Sequence, residues 1–296
     1  ATEDDLKHMG NSVSEALGAG ALGLSTSRAS THVTPDGSPI ASRVADWSEI
    51  DYLVDVMARH NRGIFQIGPD VASGEAHKTF LNRLQKVAVD SGRPVMFGTL
   101  STRQGADPFP WQSQMQYLDD TVNAGGRIFG QTTTRPIIAL FSVKSYLPFD
   151  NLPVWRELRE LPIQEQQQRF ADPEIRRALV ADEAGMKPRD HTFQGGGAAT
   201  TDPKKPDYTN LYALKGVDWD DPTIDELSRM RDQHPVEVML DLMIENEDQL
   251  FVQPLVNETP EDVLGMLRHP RTLATFSDSG AHVCQEMGSS LQTHLL

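Results

Sequence analysis

The feature that most constrains this 296-residue chain is a unit that recurs through its first half: an amphipathic helix, a glycine, then a short apolar run. The first helix reads from Glu3 to Leu17, stops at Gly18-Ala-Gly and leads into the run Ala21 to Thr26. The second is capped by Asp46 and spans Trp47 to His60, with Ile50, Leu53, Val54 and Met57 on one face. Gly63 follows, then a strand through Ile64, Phe65 and Ile67. A helix from Glu75 to Asp90 precedes Gly92 and the strand Pro94 to Thr99, and one from Trp111 to Asn123 precedes Gly125-Gly126 and the strand Arg127 to Thr132. The apolar residues of these strands are continuous rather than alternating, which a parallel sheet buried on both faces requires. Two α/β architectures satisfy the pattern: a closed (β/α) barrel or an open doubly wound sheet.

From Pro136 to about Leu267 the pattern changes to helices and loops, with helices expected near 152–161, 163–170, 173–184, 224–233, 236–245 and 261–267. Between them Gln194 to Thr209 has no periodicity and reads as a surface loop. A strand then returns, Thr272 to Ser277, and needs the earlier sheet to pair with. The chain is therefore expected to be one domain, 1–296, in which 136–267 is a mostly helical insertion over the mouth of the sheet. Ala1 sits directly at a helix start and the chain stops within an apolar stretch, Leu291 to Leu296, so both ends read as cut.

Against 27 Lys and Arg stand 42 Asp and Glu, a formal charge of −15. Such an acidic chain is not expected to bind nucleic acid or an anionic membrane surface. One cysteine, Cys284, excludes an internal disulfide framework and fits a reducing compartment, so the expected location is cytoplasmic. No apolar run approaches the roughly 20 residues of a membrane helix.

The sharpest candidate for chemistry is Phe276-Ser-Asp-Ser-Gly-Ala-His282. An aspartate where a buried strand ends projects from the rim at which parallel barrels place their active sites. Asp278 there can act as general base or metal ligand, and an N-cap or Asx-turn role is equally open. His282, four residues on, either touches substrate or orients Asp278, or is structural; His32, beside Arg28, is a candidate of the same kind. Arg28 and Arg135 each follow a strand, where a guanidinium can hold a substrate carboxylate by two parallel bonds; the alternative is an ion pair with a neighbouring acid. His8, His60, His77 and His269 read as solvated helix positions. No glycine-rich nucleotide loop follows any strand.

The stretch His269-Pro-Arg-Thr272 through Asp278-Ser-Gly-Ala-His282 resembles the last-strand motif of the amidohydrolase superfamily, in the branch that holds the N-acyl-D-amino-acid deacylases. Gly20-Ala-Leu-Gly-Leu-Ser-Thr-Ser-Arg28, with Asp36-Gly37 and Trp47-Ser-Glu, is similar to the fourth-strand segment of the same branch. The resemblance implies a partial (β/α)8 TIM-type barrel of the metal-dependent hydrolase kind, from its fourth strand to its eighth, with a long helical insertion before the last strand. It implies hydrolysis of a carbon–nitrogen amide bond in a small, carboxylate-bearing substrate by zinc-activated water, with Asp278 as catalytic residue and metal ligand. The main zinc ligands are expected upstream of Ala1. The strands that end in zinc-binding histidines in the deacylases end here in Gln66 and Thr99, both expected to face substrate. Neutral amide and hydroxyl oxygens are weak zinc ligands. The alternatives are therefore a mononuclear site, or a metal-free barrel that binds a ligand or regulates. The sequence does not give the oligomeric state.

Overall fold

The computed structural model describes residues 1–29, 32–34, 36, 38–68, 74–102, 110–187, 205–216 and 220–275. Among these, one compact unit comprises 1–135 with 257–275, and a second comprises 136–256.

Helix α1 (Glu3–Gly18) is started by a reciprocal cap: Asp5 N–H donates to the Thr2 hydroxyl, and Thr2 N–H donates to the Asp5 carboxylate. Acidic Glu3, Asp4 and Asp5 suit the positive end of the helix dipole. Strand β1 (Gly23–Ser27) opens on a glycine because a Cβ at position 23 would lie 1.9 Å from the Ile64 carbonyl oxygen. Then come α2 (Ala41–Val44), α3 (Trp47–Arg59), β2 (Ile64–Gly68), α4 (Gly74–Ser91), β3 (Pro94–Gly98), α5 (Trp111–Asn123) and β4 (Arg127–Thr132). The helix and strand alternation expected of the first half is what forms.

The second unit holds β5 (Ile137–Phe141), α6 (Pro153–Arg159), α7 (Ile163–Phe170), α8 (Pro173–Ala184), a 3-10 turn (Tyr208–Asn210), β6 (Tyr212–Ala213), α9 (Ile224–Arg231), α10 (Pro235–Glu245) and β7 (Phe251–Val256). The helices match expectation. The antiparallel sheet in the order β5-β7-β6 does not, since the segment read as helices and loops. Pro254 disguised β7; a register shift at Ile137/Ile138 and the shortness of β6, which reaches only Val252, accommodate it. Around this sheet packs a core that includes Phe149, Trp155, Phe170, Leu211, Met239 and Phe251.

The chain returns to the first unit through α11 (Pro260–Leu267) and β8 (Thr272–Ala274). Helix α11 was expected to belong to the insertion; instead it packs on α5, β4 and β8. Five parallel strands lie in the order β1-β2-β3-β4-β8, so the last strand does rejoin the sheet. The fold is α/β with a parallel sheet. Helices cover one face, where Phe65, Ile67, Val95, Phe97 and Ile128 are buried against Leu17, Val54, Met57, Leu81, Leu84 and Leu118. Each such side chain contributes about 1.5–3 kcal/mol by leaving water. The opposite face is not closed by described residues in the same way: Ile64 is 40% and Leu273 36% exposed. No helix among the described residues is long and apolar enough to cross a membrane.

Candidate functional site

Parallel pairing places residues in register on the same face, so the open face can be read across the strands. Ser25 pairs with Gln66, Gln66 with Met96, Met96 with Phe129, and Gly98 with Gln131. On this mostly apolar surface Ser25, Gln66, Gln131 and Thr275 form one hydrogen-bonded row. The Ser25 hydroxyl donates to Gln66 Oε1. Gln66 Nε2 reaches Gln131 Oε1 at 3.5 Å, and Gln131 Nε2 donates to Thr275 Oγ1 at 2.9 Å. The two glutamines meet across β3 because β3 has no side chain at Gly98; a Cβ there would lie 3.2 Å from both Cβ and Oε1 of Gln131. Gln66, Gln131 and Thr275 are half-buried, and Ser25 is exposed.

A second network fixes the segments that follow β3 and β4. Asn257 Oδ1 accepts from Thr102 N–H at 2.9 Å, while its own N–H donates to the Thr102 carbonyl at 3.0 Å. Its amide nitrogen donates to Thr133 Oγ1 at 2.7 Å and approaches Thr132 Oγ1 at 3.5 Å. Thr132 Oγ1 in turn donates to the Leu100 carbonyl at 2.9 Å, and Leu100 N–H donates to the Gln131 carbonyl at 2.7 Å. Thr99, half-buried, lies between Gly98 and this locked Leu100.

Of the other sequence candidates, Arg28 and His32 follow β1 and Arg135 follows β4. Arg28 donates to the Ala45 carbonyl at 2.6 Å and stacks over the Trp47 ring at 5.4 Å, which Arg83 also faces at 5.4 Å. His32 accepts at its backbone carbonyl from Arg43 at 3.0 Å. The Arg135 carbonyl accepts from Thr133 Oγ1 at 2.6 Å. Asp36, near His32, accepts from the Thr34 hydroxyl and from the Ser38 N–H and hydroxyl. These bonds, the Thr34 hydroxyl foremost, hold its carboxyl below the usual value. His77, expected on a solvated surface, is buried and stacks with Phe80 at 6.2 Å. Asp278, His282 and Cys284 lie outside the described residues.

Sequence reasoning singled out Gln66 and missed Ser25, Gln131 and Thr275. A signal existed for Gln131 and Thr275, which interrupt or close largely apolar strands, but register alone shows that they meet. The zinc implied by the resemblance does not fit these residues. No cluster of three or more His, Cys, Asp or Glu suited to a metal occurs among the described residues. The row offers only neutral amide and hydroxyl groups, already bonded to one another.

No family model and no curated protein matches the chain. Two solved structures are similar to it, each over 92% of this chain and 42% of their own. One is an N-acyl-D-glutamate deacylase from Bordetella bronchiseptica, complexed with zinc and a phosphonate inhibitor, at a TM-score of 0.43 and 10% identity. The other is a D-aminoacylase variant in complex with copper, at a TM-score of 0.43 and 13% identity. The chain thus spans less than half of the structures it matches.

Proposed function

We propose that this chain is part of a hydrolase acting on carbon–nitrogen amide bonds of a small molecule, built on a (β/α) barrel of which the five parallel strands are one portion. The observation that carries the reading is the position of β8. It pairs in parallel with β4, so Thr275 emerges beside Gln131 at the carboxyl edge of the sheet, and Asp278 follows three residues later in sequence.

In this reading Asp278 takes a proton from the attacking water and delivers it to the leaving nitrogen as the carbon–nitrogen bond breaks. Gln66 and Gln131 contact the substrate amide. Their neutrality keeps the edge of the sheet polar without fixing a charge there. Any metal would be held by residues other than those described. Arg28 is engaged by Ala45 and Trp47, so of the two arginines Arg135 is the better candidate to anchor a substrate carboxylate.

A second reading, a metal-free barrel that binds a ligand without turnover, is favoured by the mutual bonding of Gln66 and Gln131. The deciding experiment is amide hydrolysis by the full-length protein and its Asp278→Asn variant, with elemental analysis of both. Turnover in the parent and its loss in a folded variant support the hydrolase. Equal turnover in the two refutes the role of Asp278, and a parent inactive on linear and cyclic amides supports the binding protein.

A further inference from the structure

We propose that the Ser25–Gln66–Gln131–Thr275 row is a recognition site for a syn amide, that is, a lactam or primary carboxamide whose C=O and N–H lie on one edge. This deepens the reading above by naming the substrate class, and it rests on that reading only in calling the ligand a substrate.

Each glutamine of the row leaves hydrogen-bonding capacity unused. A primary amide side chain has two N–H donors and two acceptor lone pairs. In the row, Gln66 and Gln131 each spend one acceptor and one donor. One of each remains on either side chain, beside the other's. The link between them, at 3.5 Å, is the weakest of the row, at the limit of a hydrogen bond, whereas Gln131 to Thr275 is 2.9 Å. The glutamines meet over Gly98, whose lack of a side chain lets Gln131 lie across β3.

A group entering between them meets a donor, Gln66 Nε2, next to an acceptor, Gln131 Oε1. Its complement is an acceptor next to a donor on one edge. A lactam or primary carboxamide has that edge. A linear secondary amide does not, because its strong trans preference puts C=O and N–H on opposite sides.

The surroundings agree with a neutral, partly apolar ligand. Met96 and Phe129 adjoin the row in register, and Leu273 pairs with Gln131. The nearby Arg271 guanidinium is stacked over the Phe129 ring at 5.4 Å. No carboxylate belongs to the row, so it does not call for a cationic ligand. Sites that hydrogen-bond both the C=O and the N–H of an amide reject analogues that lack one of them, since a polar group of the site is then left unpaired.

The test uses full-length protein labelled with nitrogen-15, following the side-chain amide signals of Gln66 and Gln131 as δ-valerolactam, N-methyl-δ-valerolactam and N-methylacetamide are titrated separately. The lactam should shift both signals saturably. N-methyl-δ-valerolactam, lacking the donor, and N-methylacetamide, held trans, should each bind at least tenfold more weakly. Gln131→Leu and Gln66→Leu, each checked for an unchanged circular dichroism spectrum, should weaken the lactam at least tenfold.

The proposal is overturned if N-methylacetamide binds as well as the lactam, if both folded variants keep parental affinity, or if the lactam shifts neither signal. Ring opening of the lactam, measured in parallel, keeps the two readings apart. Lactam binding with no turnover of the lactam or of a linear N-acetyl amino acid removes the hydrolase and leaves the site; turnover of the linear amide without lactam binding does the reverse.

Discussion

Asn257 offers a direct test of how the segments after β3 and β4 are held. It is 1% exposed and sits at φ 61°, a left-handed conformation, with Oδ1 on Thr102 N–H and the amide nitrogen on Thr133 and Thr132. Replacing it with glycine removes these bonds while keeping the backbone conformation easy. The Thr102 N–H is left buried without its acceptor, at about 1–3 kcal/mol. The two threonine hydroxyls keep their bonds to the Leu100 and Arg135 carbonyls, so their loss adds only about 1 kcal/mol. Asn257→Gly should therefore cost about 2–4 kcal/mol. Asn257→Ala should cost about 1–2 kcal/mol more, because a Cβ in the left-handed region meets the following carbonyl. Urea unfolding of the full-length protein, followed by tryptophan fluorescence, gives both values. A glycine variant within about 0.5 kcal/mol of the parent would refute the hydrogen-bond account. Equal losses for glycine and alanine would refute the conformational one.

Two further outcomes follow from charged groups. In the second unit the Glu183 carboxylate is 0% exposed, accepts from Tyr208 Oη at 2.7 Å and pairs with Lys205 Nζ at 2.9 Å; burial and Glu183 together raise the Tyr208 phenol above its ordinary value. Glu183→Ala strands both partners and should destabilise by about 3 kcal/mol, less than a fully buried pair would lose because Lys205 is half-exposed; thermal melts showing under about 1 kcal/mol would refute it. At the Thr34–Asp36–Ser38 turn the Asp36 carboxyl titrates below its ordinary 3.8, so what it contributes is present above pH 3.8 and is lost as pH falls through the folded-state value. NMR should show the Ser38 amide signal moving only below that pH in the parent and staying pH-independent in Asp36→Asn; a parental shift centred above 3.8 would contradict the hydrogen-bond assignment.

The periodic part of this fold is legible because local pattern and tertiary demand coincide. Ile50, Val54 and Met57 recur at helical spacing and all three are buried against the sheet. What escaped the sequence is what depends on register or on distant partners. Gln66 and Gln131 are 65 residues apart and meet only because Gly98 stands between them. The contacts of Arg28 with the Ala45 carbonyl and the Trp47 ring join residues 17 and more positions apart, which no local pattern announces. His77 lies among polar neighbours in sequence, yet its helix turns it onto Phe80. Strand β7 was hidden by Pro254, which only an edge or a bulge tolerates.

The pairing of β5 with β7 bears on how the last strand finds its place. Thr132 of β4 and Thr272 of β8 are separated by roughly 140 residues, and closing a flexible loop of that length costs entropy that grows as its logarithm. Ile137 and Val256, the ends of the inserted unit, are paired to each other in the antiparallel ladder. Once that ladder forms, the span β8 must close behaves as about 20 residues, which lowers the closure cost by about 1.7 kcal/mol at 25 °C. The insertion thus acts kinetically as a short hairpin in the contour of the sheet. A chain in which β5–β7 pairing is disrupted should add β8 more slowly, although no residue of β4 or β8 has been altered.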